Sequence, residues 1–433
     1  MTVLTKSPEH LYDRLFGDED ARVCKDIPEQ SCKDQPKNFF VHTISLSLTK
    51  LGDKLVDPKI TLAWLLTALG APAVYLTLLV PVRDAMALLP QLVIAAFIRR
   101  TSLRKWWWVA GAMGQAVALL LISLAALTST GHQAGLTIIT ALVGFSVARG
   151  ICSVAHKDVL GKTVSKTRRG RVSGISEMVA GLLTVAFALG LFLLQERSLL
   201  LVVSMIAIAS VLWMCSAALF AHVEEQAGAT EGGANALQEA LGQFSLLWTH
   251  AEFGRFVLVR AALLGSALTA PYLVALASSS EDSSVQLLAV LLLAASLAGF
   301  LSGSVWGRLA DHSSSRCLFL AGNLAGAAGL LAILFAWMEI ESHFVYALCL
   351  FVLYLGHAGV RIGRKTHLVD MADSDNRASL VAVSNTVIGV LLLVMAGLGM
   401  LAFSVHPFGG LLLFSLLALA GAWLSKGLRE VQS

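Results

Sequence analysis

The chain has 433 residues, of which 56% are hydrophobic and 14% are charged. Soluble domains carry roughly 25% charged residues. This composition, with a mean hydropathy of +0.75, therefore excludes an ordinary soluble protein. The formal net charge of +4 does not indicate nucleic-acid binding, because the basic residues lie mostly in tails and linkers, as in a membrane protein.

The N-terminal segment is polar. Residues 1–38 are mixed in charge and lack the apolar core of a signal peptide. They contain Cys24 and Cys32, whose surroundings lack the spacing of four zinc ligands, which favours two free thiols over a metal or redox site. Over 39–59, apolar residues recur every three or four positions, which predicts an amphipathic helix on the membrane surface. We therefore assign residues 1–59 to a cytoplasmic tail.

Twelve apolar stretches follow this tail. A hydrocarbon core about 30 Å thick needs roughly 20 helical residues. The strands of a β-barrel would alternate polar and apolar residues, whereas these stretches are apolar on all sides, so they are predicted to be helices. The predicted spans are 60–78, 82–99, 106–128, 134–156, 172–194, 198–221, 254–279, 285–308, 316–338, 343–364, 379–404 and 408–425.

The linker 222–253 is rich in Gly, Ala and Glu and divides the spans six and six. We assign 60–221 and 254–425 to two six-helix bundles, and 426–433 to a C-terminal tail. Basic residues concentrate at alternate ends of the spans, which by the positive-inside rule predicts cytoplasmic termini. The predicted location is the plasma membrane, of the bacterial inner-membrane type.

The two halves show weak internal symmetry. At an offset of 208 residues, 157–177 aligns with 365–385, with four identities in 21 positions. Each block joins the fourth and fifth spans of its half. Parallel repeats about an axis along the membrane normal are the design of one large transporter class.

The segment GRLADHSSSRCLFL (307–320), between spans eight and nine, is the sharpest local motif. It resembles the G-x-L-A-D-R-x-G-R-R loop signature of the major facilitator superfamily, although His312 replaces an arginine. The resemblance implies an all-α membrane protein with twelve transmembrane helices in two pseudo-symmetric bundles. It also implies that Gly307 ends a helix tightly and that Gly307, Asp311 and Arg316 serve gating, with Asp311 against the start of span five.

Three arginines are candidates for substrate binding. Arg149, Arg260 and Arg361 lie one or two turns inside the cytoplasmic ends of spans four, seven and ten. In the fold that the resemblance implies, these spans line the central cavity with span one. Three guanidinium groups there would attract an anion and could bind it bidentately. Alternatively, each extends to the interface or pairs with a loop carboxylate. His357 flanks the same region and joins the candidate set.

Two carboxylates are candidates for proton coupling. Glu177 lies one or two turns into span five, and a buried carboxylate can hold a proton near neutral pH. A structural hydrogen bond is the alternative role for Glu177. Asp84 is predicted at the outer end of span two, beside Arg83.

The sequence contains no GxxxxGK[ST], HExxH or GxSxG motif, so we expect neither an enzyme nor an ATP-driven pump, and no cofactor or metal. The predicted function is secondary active transport of a small, anionic solute by alternating access, coupled to protons, in a monomer embedded in the lipid bilayer. The alternative is a non-transporting protein of the same fold that acts as an assembly factor or sensor. A polar cavity would support transport, and a collapsed apolar interior would support the alternative.

Overall fold

The computed structural model describes residues 27, 29–194, 198–228, 230, 243–278, 285–340, 342–371 and 377–430. Their helices are, in chain order, α1 (Glu29–Leu55), α2 (Thr61–Ala68), α3 (Val74–Leu88), α4 (Gln91–Arg99), α5 (Lys105–Thr128), α6 (Gly131–Thr163), α7 (Lys166–Leu194), α8 (Leu199–Phe220), α9 (Leu246–Thr249), α10 (Ala251–Ala262), α11 (Gly265–Ser278), α12 (Val285–His312), α13 (Ser314–Trp337), α14 (His343–Met371), α15 (Arg377–Val405) and α16 (Gly409–Ser425).

Long apolar helices dominate the fold. By length and composition, ten helical segments of the described chain could cross a membrane, with α3–α4 and α10–α11 each counted as one segment. The shorter α16 and the pair α1–α2 complete twelve spans in two six-helix bundles, as predicted. Because the number of spans is even, α1 begins and α16 ends on one face, which we call the tail side.

The first span begins earlier than the sequence predicted. The predicted surface helix over 39–59 is not formed, because α1 is one helix of 27 residues that packs against α7 and α8 of the bundle. The boundary placed at residue 59 therefore falls inside the first span. The predicted span 60–78 joins two separate helices, α2 and the start of α3.

The polar face of α1 points into the bundle. Along it, buried small and polar residues recur every three or four positions: Ser31, Gln35, Asn38, His42, Ser45, Thr49 and Gly52. The Ser216 hydroxyl donates to the Ser45 carbonyl at 2.8 Å, whereas Ile44 is 49% exposed. Lipid tails are as apolar as a leucine side chain, so helices in a bilayer associate through small and polar residues. Of the apolar residues that predicted a surface helix, only Ile44 is exposed, whereas Leu55 is buried and Val41 and Leu51 pack against the core.

The second span consists of α3 and α4. Before it, the chain turns at Gly70, which has a φ of +65°, a conformation that costs glycine little. The Gly131 N–H donates to the Leu69 carbonyl at 2.8 Å and holds this turn against the start of α6. Arg83 and Asp84 consequently lie near the middle of the span. The predicted outer-end position is wrong because the first span was extended too far.

The two bundles are in contact on the side away from the tails. There α11 packs on α2 and α3, while α7 packs on α12 and α3 on α15. One hydrophobic cluster includes residues of both bundles, among them Leu66, Leu79, Leu268 and Leu288. Toward the tail side, a cavity separates α1 and α7 from α14. A pocket of similar volume lies between the bundles at the opposite ends of their helices, lined among others by Leu76, Tyr272 and Phe403, and it shares no lining residue with the tail-side cavity.

Cys32, near the start of α1, is disulfide-bonded, so the prediction of a free thiol is wrong for this residue. Cys24 lies outside the described residues. Cys152, Cys215, Cys317 and Cys349 are free. Over the described ranges, no three His, Cys, Asp or Glu residues form a group that could hold a metal ion.

A buried carboxylate fixes the end of the first bundle. Glu225 follows α8, and its carboxylate accepts from the backbone N–H groups of Arg104 and Lys105, at 3.0 and 2.7 Å. It also accepts from the Lys162 ammonium at 3.0 Å, and the Glu225 side chain is fully buried. A carboxylate at the first turn of α5 compensates the free N–H groups of a helix start.

We expect Glu225→Gln to lower the free energy of unfolding by about 1–3 kcal/mol, because a buried charged acceptor is lost. The neighbouring Glu224→Gln is the matched control, since Glu224 pairs with Lys37 at the surface. Such surface pairs contribute about 0–1 kcal/mol. Thermal unfolding of the two variants in detergent measures the difference, and equal losses would contradict this role of Glu225.

Candidate substrate cavity

The first span is interrupted at the centre of the molecule. α1 ends at Leu55, and Pro58 follows three residues later; proline lacks an N–H group and disfavours helical conformation of the preceding residue. The Asp57 carbonyl accepts from the N–H groups that start α2, at 2.8 Å for Thr61. The Asp57 carboxylate accepts from the Lys59 N–H at 2.7 Å. This break places two charged residues at the bundle interface.

Both residues of the break reach the second bundle. The Tyr354 hydroxyl on α14 donates to the Asp57 carboxylate at 3.3 Å. The Lys59 ammonium lies 3.0 Å from Nε2 of His357, whose Nδ1 lies 3.0 Å from the Ser266 hydroxyl. An ammonium has only donors, so Nε2 accepts and Nδ1 carries the ring proton. His357 is therefore neutral in this arrangement and links the two bundles.

A cavity of about 340 Å³ adjoins this link. Its polar lining comes from both bundles: Lys59, Asp84, Arg260, Ser266, His357, Arg361 and Arg364. Four of these side chains are cationic and one is a carboxylate. The cavity is therefore strongly positive, and its interior is polar.

The guanidinium groups of the cavity differ in their partners. Arg260 is buried; its Nη1 donates to the Ser384 hydroxyl at 2.6 Å and its Nη2 to the Asn385 side chain at 2.9 Å. Its Nε has no hydrogen-bond partner. Arg361 and Arg364 make no hydrogen bond or ion pair with any part of the chain that the structure describes. Two cationic groups are thus available to a ligand.

A second cavity of about 500 Å³ leads from the first toward the tail side and shares Lys59, His357 and Arg361 with it. Glu177 lies on its wall. The Glu177 carboxylate pairs with Lys50 at 3.2 Å and Lys54 at 3.1 Å, two residues one turn apart on α1. Its side chain is 55% exposed. Glu177 is therefore a partner of two lysines and is not buried, in contrast to the prediction.

A separate ion cluster lies inside the first bundle. The Asp53 carboxylate on α1 pairs with Arg83 at 3.3 Å and makes a second, short contact with Arg149. The Arg83 guanidinium also lies 4.9 Å from the centroid of the Phe145 ring, a favourable cation–π arrangement. Arg149 lines neither of the two cavities described above. From the sequence, Arg149 was grouped with Arg260 and Arg361. In the structure, its charge is instead paired with the Asp53 carboxylate.

Asp84 is the carboxylate of the cavity that has no bonding partner. It is partly buried on α3 and makes no hydrogen bond or ion pair within the described ranges. Its position beside Lys59, Arg361 and Arg364 makes the net charge of the cavity depend on its protonation.

A family model described as Major Facilitator Superfamily matches residues 43–390, which is most of the chain. The chain belongs to the major facilitator superfamily. No curated protein sequence matches it. Several solved transporters of low sequence identity share its fold, and three of them illustrate the range of solutes.

A D-xylose–proton symporter is 11% identical, with a TM-score of 0.65 over 91% of this chain and 98% of its own. A POT family transporter in complex with 5-aminolevulinic acid is 12% identical, with a TM-score of 0.67 over 94% of this chain and 98% of its own. A nucleoside transporter is 13% identical, with a TM-score of 0.59 over 90% of this chain and 97% of its own. At these identities the likeness shows the fold alone.

The superfamily loop signature takes a different local form than predicted. Gly307 lies within α12, which continues to His312, and open space surrounds the position of its missing side chain. The turn falls at Ser313, whose extended backbone and hydroxyl cap α13 by accepting from the Arg316 N–H at 3.2 Å. The prediction that Gly307 ends the helix is wrong, because a serine N-cap makes the turn.

Asp311 is exposed and makes no hydrogen bond or ion pair in the part of the chain described here. Its predicted contact with the start of α7 is thus not made in this conformation. Glu430 of the C-terminal tail accepts from Ser313 and Ser315 at 2.6 Å each. Desolvation raises the pKa of Glu430, but these hydrogen bonds and the Arg316 charge outweigh it, so this pKa lies below its usual range. The gating roles of Asp311 and Arg316 stay predictions.

Four charged residues near the centre of the protein were not predicted as site residues from the sequence. Asp53, Asp57 and Lys59 were placed in a surface helix, and Arg364 was not distinguished from other basic residues at span ends. The signal that could have found the first three is Pro58, since a proline bounded by charged residues and followed by an apolar run indicates an interrupted span.

Proposed function

We propose that this chain is a secondary active transporter that moves a small anionic solute across the membrane by alternating access. The observation that carries the proposal is the cavity between the two bundles, where Lys59, Arg260, Arg361 and Arg364 face one carboxylate, Asp84. Charged groups at membrane depth are costly and mark solute or ion paths. The fold supplies the means, because two bundles can rock about a site at their interface.

The direction of opening supports this mechanism. The second cavity shares Lys59, His357 and Arg361 with the site and extends toward the tail side, whereas the pocket on the opposite side shares no lining residue with the site. With cytoplasmic termini, as the basic residues predict, this is an inward-facing state. Asp311 would then contact the start of α7 only when the cytoplasmic side closes. The predicted gating role of Asp311 depends on this contact forming in one state and not in the other.

Transport requires a driving force, and the sequence offers no nucleotide-binding motif. We propose that protons supply it through Asp84. Protonation of Asp84 removes the negative charge of the cavity, so it strengthens anion binding, and by linkage the anion favours proton uptake. Glu177 is the weaker candidate, because Lys50 and Lys54 stabilise its charged form.

A screen of purified protein against anionic, cationic and neutral solutes by thermal unfolding tests the anionic substrate. We expect the stabilising compounds to be anions. Uptake of a stabilising anion into proteoliposomes then tests transport. A set of stabilising compounds that are all cationic or neutral would overturn the proposal.

We expect Asp84→Asn to abolish accumulation of this anion against its gradient under an imposed pH gradient, while counterflow exchange persists. In wild type, the anion should bind more tightly at acidic pH, because protonated Asp84 no longer competes for the cations. In the variant, binding should be tight and independent of pH over the same range. Glu177→Gln is the matched comparison and should retain the pH dependence. Retention of proton-driven uptake by Asp84→Asn would contradict the assignment.

The alternative, a non-transporting assembly factor or sensor, predicts a collapsed apolar interior. The two polar cavities, of about 340 and 500 Å³, favour transport. We propose that the transporter acts as a monomer in a bacterial inner membrane, with both termini in the cytoplasm and no cofactor.

A further inference from the structure

We infer that the substrate is a small oxyanion that carries at least two negative charges and is held mainly by the second bundle. This inference rests on the proposed anion transport and specifies its substrate class. It follows from the charge, the partners and the placement of the side chains that line the 340 Å³ cavity.

The charge of the cavity requires more than one negative charge for compensation. Four cationic side chains line it, with Asp84 as the carboxylate among its lining residues. Asp57 lies next to Lys59 and lines the adjoining cavity. Counting both carboxylates still leaves two positive charges uncompensated. His357 adds none, because its Nε2 accepts from Lys59. A monovalent anion would leave a net positive charge beside the buried guanidinium group of Arg260, which is costly.

The guanidinium groups are arranged to bind oxygen atoms. Arg361 and Arg364 are three residues apart on α14, so they lie on one face of that helix, and both line the cavity. Arg260 faces the same space from α10. Its hydrogen bonds to Ser384 and Asn385 fix its plane, while its buried Nε has no partner. Guanidinium groups bind carboxylate and phosphate-like oxygens bidentately, which selects an oxyanion over a simple halide.

The two bundles contribute unequally. In the first bundle, Arg83 and Arg149 share Asp53, and the lysines at 50 and 54 share Glu177. In the second bundle, the three arginines of the cavity have no carboxylate partner among the described residues. Lys59 of the first bundle donates to a neutral imidazole, so its charge also remains available. The anion therefore binds on the second bundle, and Lys59 approaches it from the first.

Sulfate and methanesulfonate test this inference on the purified full chain in neutral detergent. Both are tetrahedral oxyanions of similar size, but methanesulfonate has a methyl group in place of one oxygen and a single charge. Thermal unfolding is followed at low millimolar anion and constant ionic strength. We expect the half-effect concentration of sulfate to be lower than that of methanesulfonate by a factor of about ten or more. This factor corresponds to one charge-assisted hydrogen bond.

Sulfate also stabilises proteins without binding to a site, so variants are needed to isolate the cavity. Arg361→Gln and Arg364→Gln should each raise the half-effect concentration of sulfate by about tenfold or more and reduce the preference over methanesulfonate. Arg255→Gln is the control, since Arg255 is an exposed residue of α10 that pairs with Glu252. Arg361 is exposed to the cavity and makes no bonds within the described chain, so its variant should fold.

Each outcome decides a different point. Equal half-effect concentrations for the two anions would overturn the dianionic substrate and leave anion transport standing. Stabilisation by sulfate that is unchanged in both cavity variants would also overturn the inference, because it would be a solvent effect. No response to either anion, together with stabilisation by cationic or neutral solutes alone, would overturn the inference and the proposed function together.

Discussion

We expect Asp53→Asn to lower the free energy of unfolding by about 2–3 kcal/mol. Removing one partner of a fully buried ion pair costs about 3–5 kcal/mol, because the remaining charge stays buried. Here two arginines lose their common carboxylate. Arg83 has a side chain 10% exposed and would be left with the Phe145 ring, while Arg149 is 37% exposed and partly solvated. Water at Arg149 is the reason for the smaller value.

Thermal and denaturant unfolding in detergent measure this loss. Glu252→Gln is the matched control, because it removes a carboxylate from the exposed pair with Arg255 and should cost about 0–1 kcal/mol. The double variant Asp53→Asn/Arg149→Gln should recover part of the loss, since one unpaired charge is then removed. Equal stability of Asp53→Asn and Glu252→Gln would show that Asp53 does not hold the cluster together.

Most of the fold could be predicted from hydropathy, and the exception has a physical cause. From Lys105 onward each predicted span falls on a helix or a pair of helices, although α6 and α14 end seven residues later and α7 begins six residues earlier than predicted. α1 instead turns Gln35, Asn38 and His42 toward its neighbours. A helix that buries polar residues looks like a surface helix to any hydropathy scale, because such a scale assumes that polar residues are exposed.

The candidate site was predicted in part. Arg260, Arg361 and His357 come together at the cavity because their depth in spans seven and ten can be estimated from the sequence. The partner of Arg149 could not be predicted, since Asp53 had been placed outside the first span. Asp84 was predicted at the outer end of its span but lies at the cavity, and its role in proton coupling stays a prediction. Each error follows from the position of the first span, which sets the register of the second.

The internal repeat becomes interpretable in the structure. Glu177 and Asn385 are aligned at the offset of 208, and each bonds to basic side chains on the first span of its own bundle. Glu177 pairs with the lysines of α1, and Asn385 accepts from Arg260 on α10. A carboxylate in the first bundle is thus replaced by a neutral amide in the second. This replacement leaves Arg260 without a carboxylate partner among the described residues, so the two pseudo-symmetric halves differ in charge at this position.

We expect Arg260→Ala to weaken binding of the transported anion by about 1.5–3 kcal/mol, or roughly 10- to 150-fold in Kd, the range for a hydrogen bond to a charged group. Arg260 is buried at the cavity, and its side chain is held by Ser384 and Asn385. The Arg260 side chain is therefore already held in position, so little of its conformational entropy is lost when the anion binds. Titration calorimetry, or the shift of thermal unfolding with ligand concentration, measures this change on purified protein.

Two control variants separate charge from structure in this experiment. Arg255→Ala removes an exposed arginine of the same helix, and binding should be unchanged. Ser384→Ala removes one anchor of Arg260 and keeps its charge, so binding should weaken by less than for Arg260→Ala. If the two buried-site variants weaken binding equally, orientation rather than charge is decisive. If Arg260→Ala binds the anion as wild type does, Arg260 is only a bond between α10 and α15, and the anion must be held by Arg361, Arg364 and Lys59 alone.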